Sequence, residues 1–128
     1  MLDRLDERAN KRIAGPAWDG IRRQIEIIHR ALVAVSPTAS GELTTIYVKY
    51  STRETGTQPY AVLWIKKSTE LILGLALPRG HNLDGITPFP SRLKYTGLTV
   101  YLRITPESEV PDVLRELARD AYAHLLSP

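Results

Sequence analysis

The chain contains no cysteine, and its 128 residues include a single methionine and a single phenylalanine. Without a thiol, the sequence excludes a disulfide framework, a thiolate zinc site, a cysteine nucleophile and an iron–sulfur centre held by cysteine. Long apolar runs are also missing, because uncharged stretches such as 31–41 and 71–78 fall far short of the ~20 apolar residues that a membrane span requires. We therefore expect no membrane partner.

The common catalytic signatures are missing as well. The chain has no glycine-rich phosphate loop followed by lysine and serine or threonine, no dinucleotide fingerprint and no G-x-S-x-G elbow. Its carboxylates are not clustered as a two-metal hydrolase would need, and no two of its three histidines have metal-ligand spacing. We expect no catalytic residue, no metal and no cofactor, and we interpret the chain as a non-enzyme.

One loop keeps an alternative open. His81 and Asp84 flank a turn that could bring an imidazole and a carboxylate together. This arrangement would favour an enzyme or a small-ligand pocket in the loop 78–95, which ends at Tyr95. A turn built from asparagine, aspartate and glycine explains the same residues more often.

Apolar periodicity predicts a helix near each end of the chain. Apolar residues recur in steps of three and four over 18–35 and again over 110–126. Residues 1–17 read as an N-terminal arm with helical spacing, and residues 18–128 as one domain. Seven charges between Met1 and Arg12, with no apolar segment, argue against a secretory signal and predict a cytoplasmic protein.

Between the two helices the period changes to 2. Alternation predicts strands over 46–50, 60–67 and 98–104, and the apolar run 71–77 predicts a strand covered on both faces. Strands grouped between terminal helices favour an antiparallel sheet, because parallel crossovers would need helices between the strands. The predicted fold is a two-layer α+β domain, with about four antiparallel strands packed against the N- and C-terminal helices.

Positive charge is concentrated on this predicted sheet. Residues 46–104 hold eight basic and three acidic residues, an excess of +5 against +3 for the whole chain. If Val48, Leu63 and Val100 face the helices, the opposite face presents an aromatic and basic set: Tyr47, Lys49, Tyr60, Trp64, Lys66, Tyr101 and Arg103. Aromatic rings interleaved with cations could stack bases and hold phosphates, which favours a nucleic-acid-binding module.

The same residues also fit an ordinary sheet. Tyrosine and tryptophan are good strand formers, basic residues at an edge discourage aggregation, and a net charge of +3 is modest for a nucleic-acid binder. Ile72, Gly74 and Ala76 belong to the same face, so the first helix, a partner chain or a small ligand should cover them. A glycine within a strand more often marks a bulge.

Several segments resemble a known family. The segments 47–50, 62–65, 70–75 and 101–104, the acidic stretch 108–112 and Asp120-Ala121-Tyr122 are similar to the bacterial domain of unknown function DUF5655, over about residues 18–126. The resemblance implies an α+β fold and brings no established catalytic residues. We predict a small interaction or accessory domain that self-associates through the sheet face or a strand edge, so its partner is a second copy or another protein, with nucleic acid as the alternative.

Overall fold

A computed structural model describes residues 16–44, 47–67, 70–78, 95, 97–105 and 113–126, with the backbone alone at 16–18, 66 and 67. The elements in chain order are α1 (Pro16–Val33), β1 (Ser40–Leu43), β2 (Tyr47–Ser51), β3 (Ala61–Lys67), β4 (Glu70–Leu75), β5 (Val100–Ile104) and α2 (Leu114–Leu126). The α+β prediction is confirmed. The described sheet has five strands, so the expectation of about four missed one.

The strands form one antiparallel sheet in the order β1-β2-β3-β4-β5, in which neighbours along the chain are neighbours in space. Two rows of paired residues, two positions apart along each strand, cross it: one row is formed by Tyr47, Trp64, Ile72 and Arg103, and the other by Lys49, Val62, Gly74 and Tyr101. Side chains in alternate rows share a face because the pleat has a period of two residues. We call this face the outer face.

The strand that the sequence did not reveal is β1. Its four residues include serine, glycine and glutamate, which are poor strand formers, and its exposure alternates along the chain. Gly41 pairs with Tyr50, and a Cβ at Gly41 would lie 3.0 Å from both Tyr50 Cε1 and Val48 Cγ1. Glycine therefore leaves room for the Tyr50 ring beside the edge of the sheet.

Both described helices cover the other, inner face. α1 begins at Pro16, where a fixed φ suits the first turn, and buries a stripe that includes Ile21, Ile25 and Ile28. α2 contributes Leu114, Leu117, Ala118 and Ala121 to the same core. The two-layer arrangement predicted from the apolar periods is therefore present, with the main core between the helices and the inner face.

Tyr60 is the clear error among the predicted outer-face residues. The chain bends at Tyr60, immediately before β3, so the alternation of the strand does not extend to it. Its ring is fully buried in the main core, 6.0 Å from the Tyr122 ring, and its hydroxyl donates to the Leu32 carbonyl oxygen at 2.7 Å. That carbonyl lies in the last turn of α1, where intrahelical donors are missing.

Residues 1–15 of the predicted arm lie outside the described residues, and 16–17 belong to α1. Within the described ranges, neither helix combines the length and apolar character needed to cross a membrane.

Candidate functional site

The outer face carries a second apolar cluster, separate from the main core. Its buried members are Val62, Trp64, Ile72, Ala76 and Leu98. The period-2 rows place Trp64 near the middle of the sheet, on β3, with an exposed fraction of 6%. Trp64 is thus the centre of the outer face rather than part of the main interior.

Three half-buried tyrosines surround Trp64, and we call them the tyrosine cluster. The ring centroids of Tyr47, Tyr95 and Tyr101 lie 6.1, 6.3 and 6.0 Å from the Trp64 ring. All three pairs are tilted or edge-to-face, the geometries that aromatic quadrupoles favour. The rings therefore stabilise one another and form a continuous aromatic surface.

The chain itself supplies part of the cover for this face. Tyr95 lies against Trp64, while Leu98 lies over Gly74, because a Cβ at Gly74 would be 2.8 Å from Leu98 Cδ1 and 3.1 Å from Trp64 Cζ3. The Tyr95 backbone N–H donates to the Tyr101 hydroxyl at 3.2 Å, which connects Tyr95 to β5. We expected some group to cover Ile72, Gly74 and Ala76. Tyr95 and Leu98 of the same chain supply part of that cover.

Gly74 does not mark a bulge. It stays in register with Val62 on one side and Tyr101 on the other, and the irregularity of the sheet lies instead between Ile65 and Lys67. The glycine is needed because three side chains occupy the space above it. This is the close-approach use of glycine within a strand.

The two described cations of the outer face lie near opposite edges of the sheet. The Lys49 amino group is 5.9 Å from the Tyr47 ring centroid and 6.0 Å from that of Tyr95, and a hydrogen bond with the Tyr95 side chain raises the pKa of Lys49. Arg103 forms an ion pair with Glu70 at 3.5 Å. Both cations therefore already have partners within the chain.

Five of the seven residues predicted on this face are brought together there: Tyr47, Lys49, Trp64, Tyr101 and Arg103. Tyr60 lies in the main core, and the side chain of Lys66 is outside the described residues. The nearly complete burial of Trp64 leaves its ring without a free surface for stacking a base. Among the described residues of the outer face, the tyrosine cluster provides the partly exposed rings.

Sequence reasoning missed two acidic members of this surface. Glu42 on β1 lies opposite Lys49 in the strand register, and Glu70 on β4 forms the ion pair with Arg103. Placing Glu42 on this face requires the prediction of β1, and the residues 40–43 are poor strand formers. Glu70 was visible beside the apolar run, but its contact required the register of β4 with β5.

The loop pocket cannot be assembled from the described residues. His81 and Asp84 lie outside them, while Tyr95 belongs to the tyrosine cluster. Among the residues that the structure describes, no group of three or more histidine, aspartate or glutamate side chains could hold a metal ion.

One titratable pair lies on the inner face instead. The His29 Nδ1 atom of α1 is 3.0 Å from the Tyr50 hydroxyl of β2, and burial lowers the pKa of His29. Burial also raises the pKa of Tyr50 far above its ordinary value, so the phenol stays protonated and shares one hydrogen bond with the imidazole. The pair satisfies a fully buried hydroxyl and ties α1 to the sheet.

Comparison of the chain with protein-family models, with curated proteins and with solved structures finds no match. The resemblance to DUF5655 therefore stays an expectation.

Proposed function

We propose that the chain is a protein-interaction module that binds a second copy of itself through the outer face. The observation that carries this proposal is the tyrosine cluster, three partly exposed rings packed around one buried tryptophan. Tyrosine, tryptophan and arginine are enriched in protein interfaces, where a rigid aromatic contributes area at low entropic cost. Both described helices lie on the inner face, and the three rings are partly exposed on the outer face.

Charge on the outer face favours a second copy. Glu42 and Lys49 lie toward the β1 edge, while Glu70 and Arg103 lie toward the β5 edge. A two-fold axis parallel to the strands would set the β1 side of one copy against the β5 side of the other, so each edge can meet charges of opposite sign. The described residues of this face thus include two carboxylates and two cations, a balance that suits such pairing better than it suits a polyanion.

Sedimentation velocity of the full chain, from low to high micromolar concentration, tests the proposal. We expect a dimer whose fraction rises with concentration. Tyr47→Glu should give a monomer, since it removes one ring of the cluster and adds a charge. Thr57→Glu adds the same charge at an exposed loop position and should dimerise like the wild type. A strictly monomeric wild type, or a Tyr47→Glu variant that dimerises normally, would contradict the proposal.

Single-stranded nucleic acid is the second candidate, favoured by the position of Lys49 between two tyrosine rings. Partly exposed tyrosines can stack bases, and an adjacent cation can contact phosphate. Fluorescence anisotropy of a labelled oligonucleotide at low and high salt provides the test. Binding that weakens with salt and with Lys49→Gln would support this candidate, and no binding at low salt would eliminate it.

A further inference from the structure

The solvent side of the two helices carries arginines that have no partner within the described residues. α1 exposes Arg23 and Arg30, and α2 exposes Arg115 and Arg119. In the described part of the chain, none of the four takes part in an ion pair or a side-chain hydrogen bond, whereas Arg22 pairs with Glu26. Among the described residues, their guanidinium groups therefore have no acidic partner. We call this surface the helical layer.

The helical layer also exposes two large apolar side chains. Ile27 is 45% exposed and Leu126 is 44% exposed, and they are the large hydrophobic residues that the described part of the chain leaves on its surface. Ile27 lies between Arg23 and Arg30 on one stripe of α1, because the spacings of four and three residues correspond to one helix turn each. Apolar area and unpaired cations thus share one surface.

The two helices run in the same general direction. Near the end of α1, the Leu32 carbonyl accepts a hydrogen bond from the Tyr60 hydroxyl. Near the end of α2, the Tyr122 ring packs on the same tyrosine. Earlier in α1, the Gln24 side chain donates to the Thr105 carbonyl at 3.1 Å, just beyond the far end of β5. The two exposed stripes therefore lie side by side at similar levels.

The spacing of the four arginines follows from helix geometry. Arg23 and Arg30 are separated by about 10 Å along α1, and Arg115 and Arg119 by about 6 Å along α2, at 1.5 Å of rise per residue. Packed helices lie about 8–10 Å apart. The backbone positions of the four arginines thus border an area whose sides measure about 6 to 10 Å, with Ile27 on the same surface.

We propose that the helical layer binds an acidic amphipathic helix of a partner protein. Carboxylates at steps of three, four and seven residues repeat at about the same intervals as the arginines, and the planar guanidinium group binds carboxylates in a bidentate manner. The apolar side of such a helix would cover Ile27 and Leu126. A nucleic-acid backbone offers no apolar group to Ile27 and Leu126, whereas the apolar side of an amphipathic helix does. The exposed Glu116 between Arg115 and Arg119 repels phosphate and carboxylate alike, so the apolar contact is what distinguishes the two ligands. This site is independent of the outer face.

The test uses the full chain and a designed probe. The probe is a helical peptide with leucines along one side and glutamates flanking them, and its control is a peptide of the same composition in which this pattern is scrambled. Isothermal titration at low salt measures affinity, and amide chemical shifts locate the contact. We expect shifts in α1 and α2, an affinity at least about fivefold lower for the scrambled peptide, and an affinity about tenfold lower for the Arg30→Gln/Arg119→Gln variant.

Matched variants separate charge from apolar contact. Arg53→Gln removes an exposed arginine from the β2–β3 loop and should leave the affinity within about twofold, because this residue lies outside the two helical stripes that carry the four arginines. Ile27→Ser should weaken binding of the patterned peptide and leave the weak binding of the scrambled peptide unchanged. No binding of the patterned peptide, shifts confined to the sheet, or an oligonucleotide that binds α1 and α2 more tightly than the peptide would each overturn the proposal. These outcomes are separate from dimerisation, which sedimentation measures at the other face.

Discussion

At the scale of single residues, a few side chains decide how the two faces of the sheet are used. Gly74 allows Leu98, Trp64 and Tyr101 to meet above the sheet, and Gly41 gives the Tyr50 ring its place on the inner face. Each glycine lies opposite an aromatic residue in the register. The aromatic packing of both faces therefore depends on positions where the sequence carries no side chain.

Gly74→Ala tests this dependence. The added Cβ would lie 2.8 Å from Leu98 Cδ1 and 3.1 Å from Tyr101 Cε1, so neighbouring side chains must move. We expect the free energy of unfolding to fall by about 1–3 kcal/mol, the usual cost of overpacking. Urea unfolding monitored by tryptophan fluorescence and by circular dichroism provides the measurement.

A second substitution serves as the control. Leu98→Ala removes the nearest clashing atom, so the double variant Gly74→Ala/Leu98→Ala should lose less stability than the sum of its two single changes. Strictly additive losses would show that Leu98 is not what excludes a side chain at residue 74.

The hydrogen bond between His29 and Tyr50 predicts a loss of stability in acid. Burial lowers the pKa of His29 below its ordinary value of 6.5, so the unfolded chain binds a proton that the folded chain resists. This contribution is fully present above the unfolded pKa and is lost as the pH falls from about 6.5 toward the folded pKa. Urea unfolding at a series of pH values from neutral to mildly acidic measures this slope.

His29→Gln isolates the histidine from other titrating groups. Glutamine keeps an acceptor for the Tyr50 hydroxyl and does not titrate, so the fall in stability just below pH 6.5 should be smaller in this variant. Equal slopes in the variant and the wild type would assign the acid dependence to other groups.

At the scale of secondary-structure elements, the apolar periodicity predicted which side of a helix or strand faces the main core. The steps of three and four along α1 and the alternation along β5 survive in the structure because one side of each element faces the main core. The same alternation correctly placed Tyr47, Trp64 and Tyr101 on one face.

The errors occur where local pattern and tertiary contact disagree. β1 has weak strand propensity and is a strand through its pairing with β2. The bend at Tyr60 interrupts the alternation and turns its ring inward. Tyr95 and Leu98 lie on the outer face outside any strand, so no periodic signal in the sequence reveals their position.

Gln24 provides a prediction at this scale, since it joins α1 to the end of β5. It is 7% exposed, and its amide donates to the Thr105 carbonyl, 81 residues away along the chain. Gln24→Ala should lower the free energy of unfolding by about 1–2 kcal/mol, because a part-buried carbonyl loses this donor. Chemical denaturation measures the difference.

Arg23→Ala is the matched control, because Arg23 is the exposed neighbour of Gln24 on the same helix. It should stay within about 0.5 kcal/mol of the wild type. Equal effects of the two substitutions would indicate that helix propensity, rather than the contact with Thr105, sets the result.

At the scale of the whole molecule, the two proposed surfaces lie on opposite sides. Dimerisation through the outer face would bring two sheets together and leave both helical layers exposed at the ends of the dimer. An acidic helix could then bind at each end. Peptide affinity should therefore be the same for the dimer and for the monomeric Tyr47→Glu variant, because Tyr47 lies across the sheet from α1.

Stability should also differ across the molecule. β4 has a strand on each side, and all five of its residues from Leu71 to Leu75 are buried, whereas β1 pairs only with β2 in the described sheet and alternates between exposed and half-buried positions. Native-state hydrogen exchange measured by NMR at low denaturant concentrations should give β4 amides the global unfolding free energy and β1 amides a much smaller one. Amides of β1 that exchange as slowly as those of β4 would contradict this order.

The same measurement on His29→Ala tests the link between β1 and the His29–Tyr50 hydrogen bond. Gly41 of β1 lies beside the Tyr50 ring, so opening of β1 would expose the region around this hydrogen bond. We therefore expect the β1 amides to be less protected from exchange in His29→Ala, while the β4 amides still exchange by global unfolding.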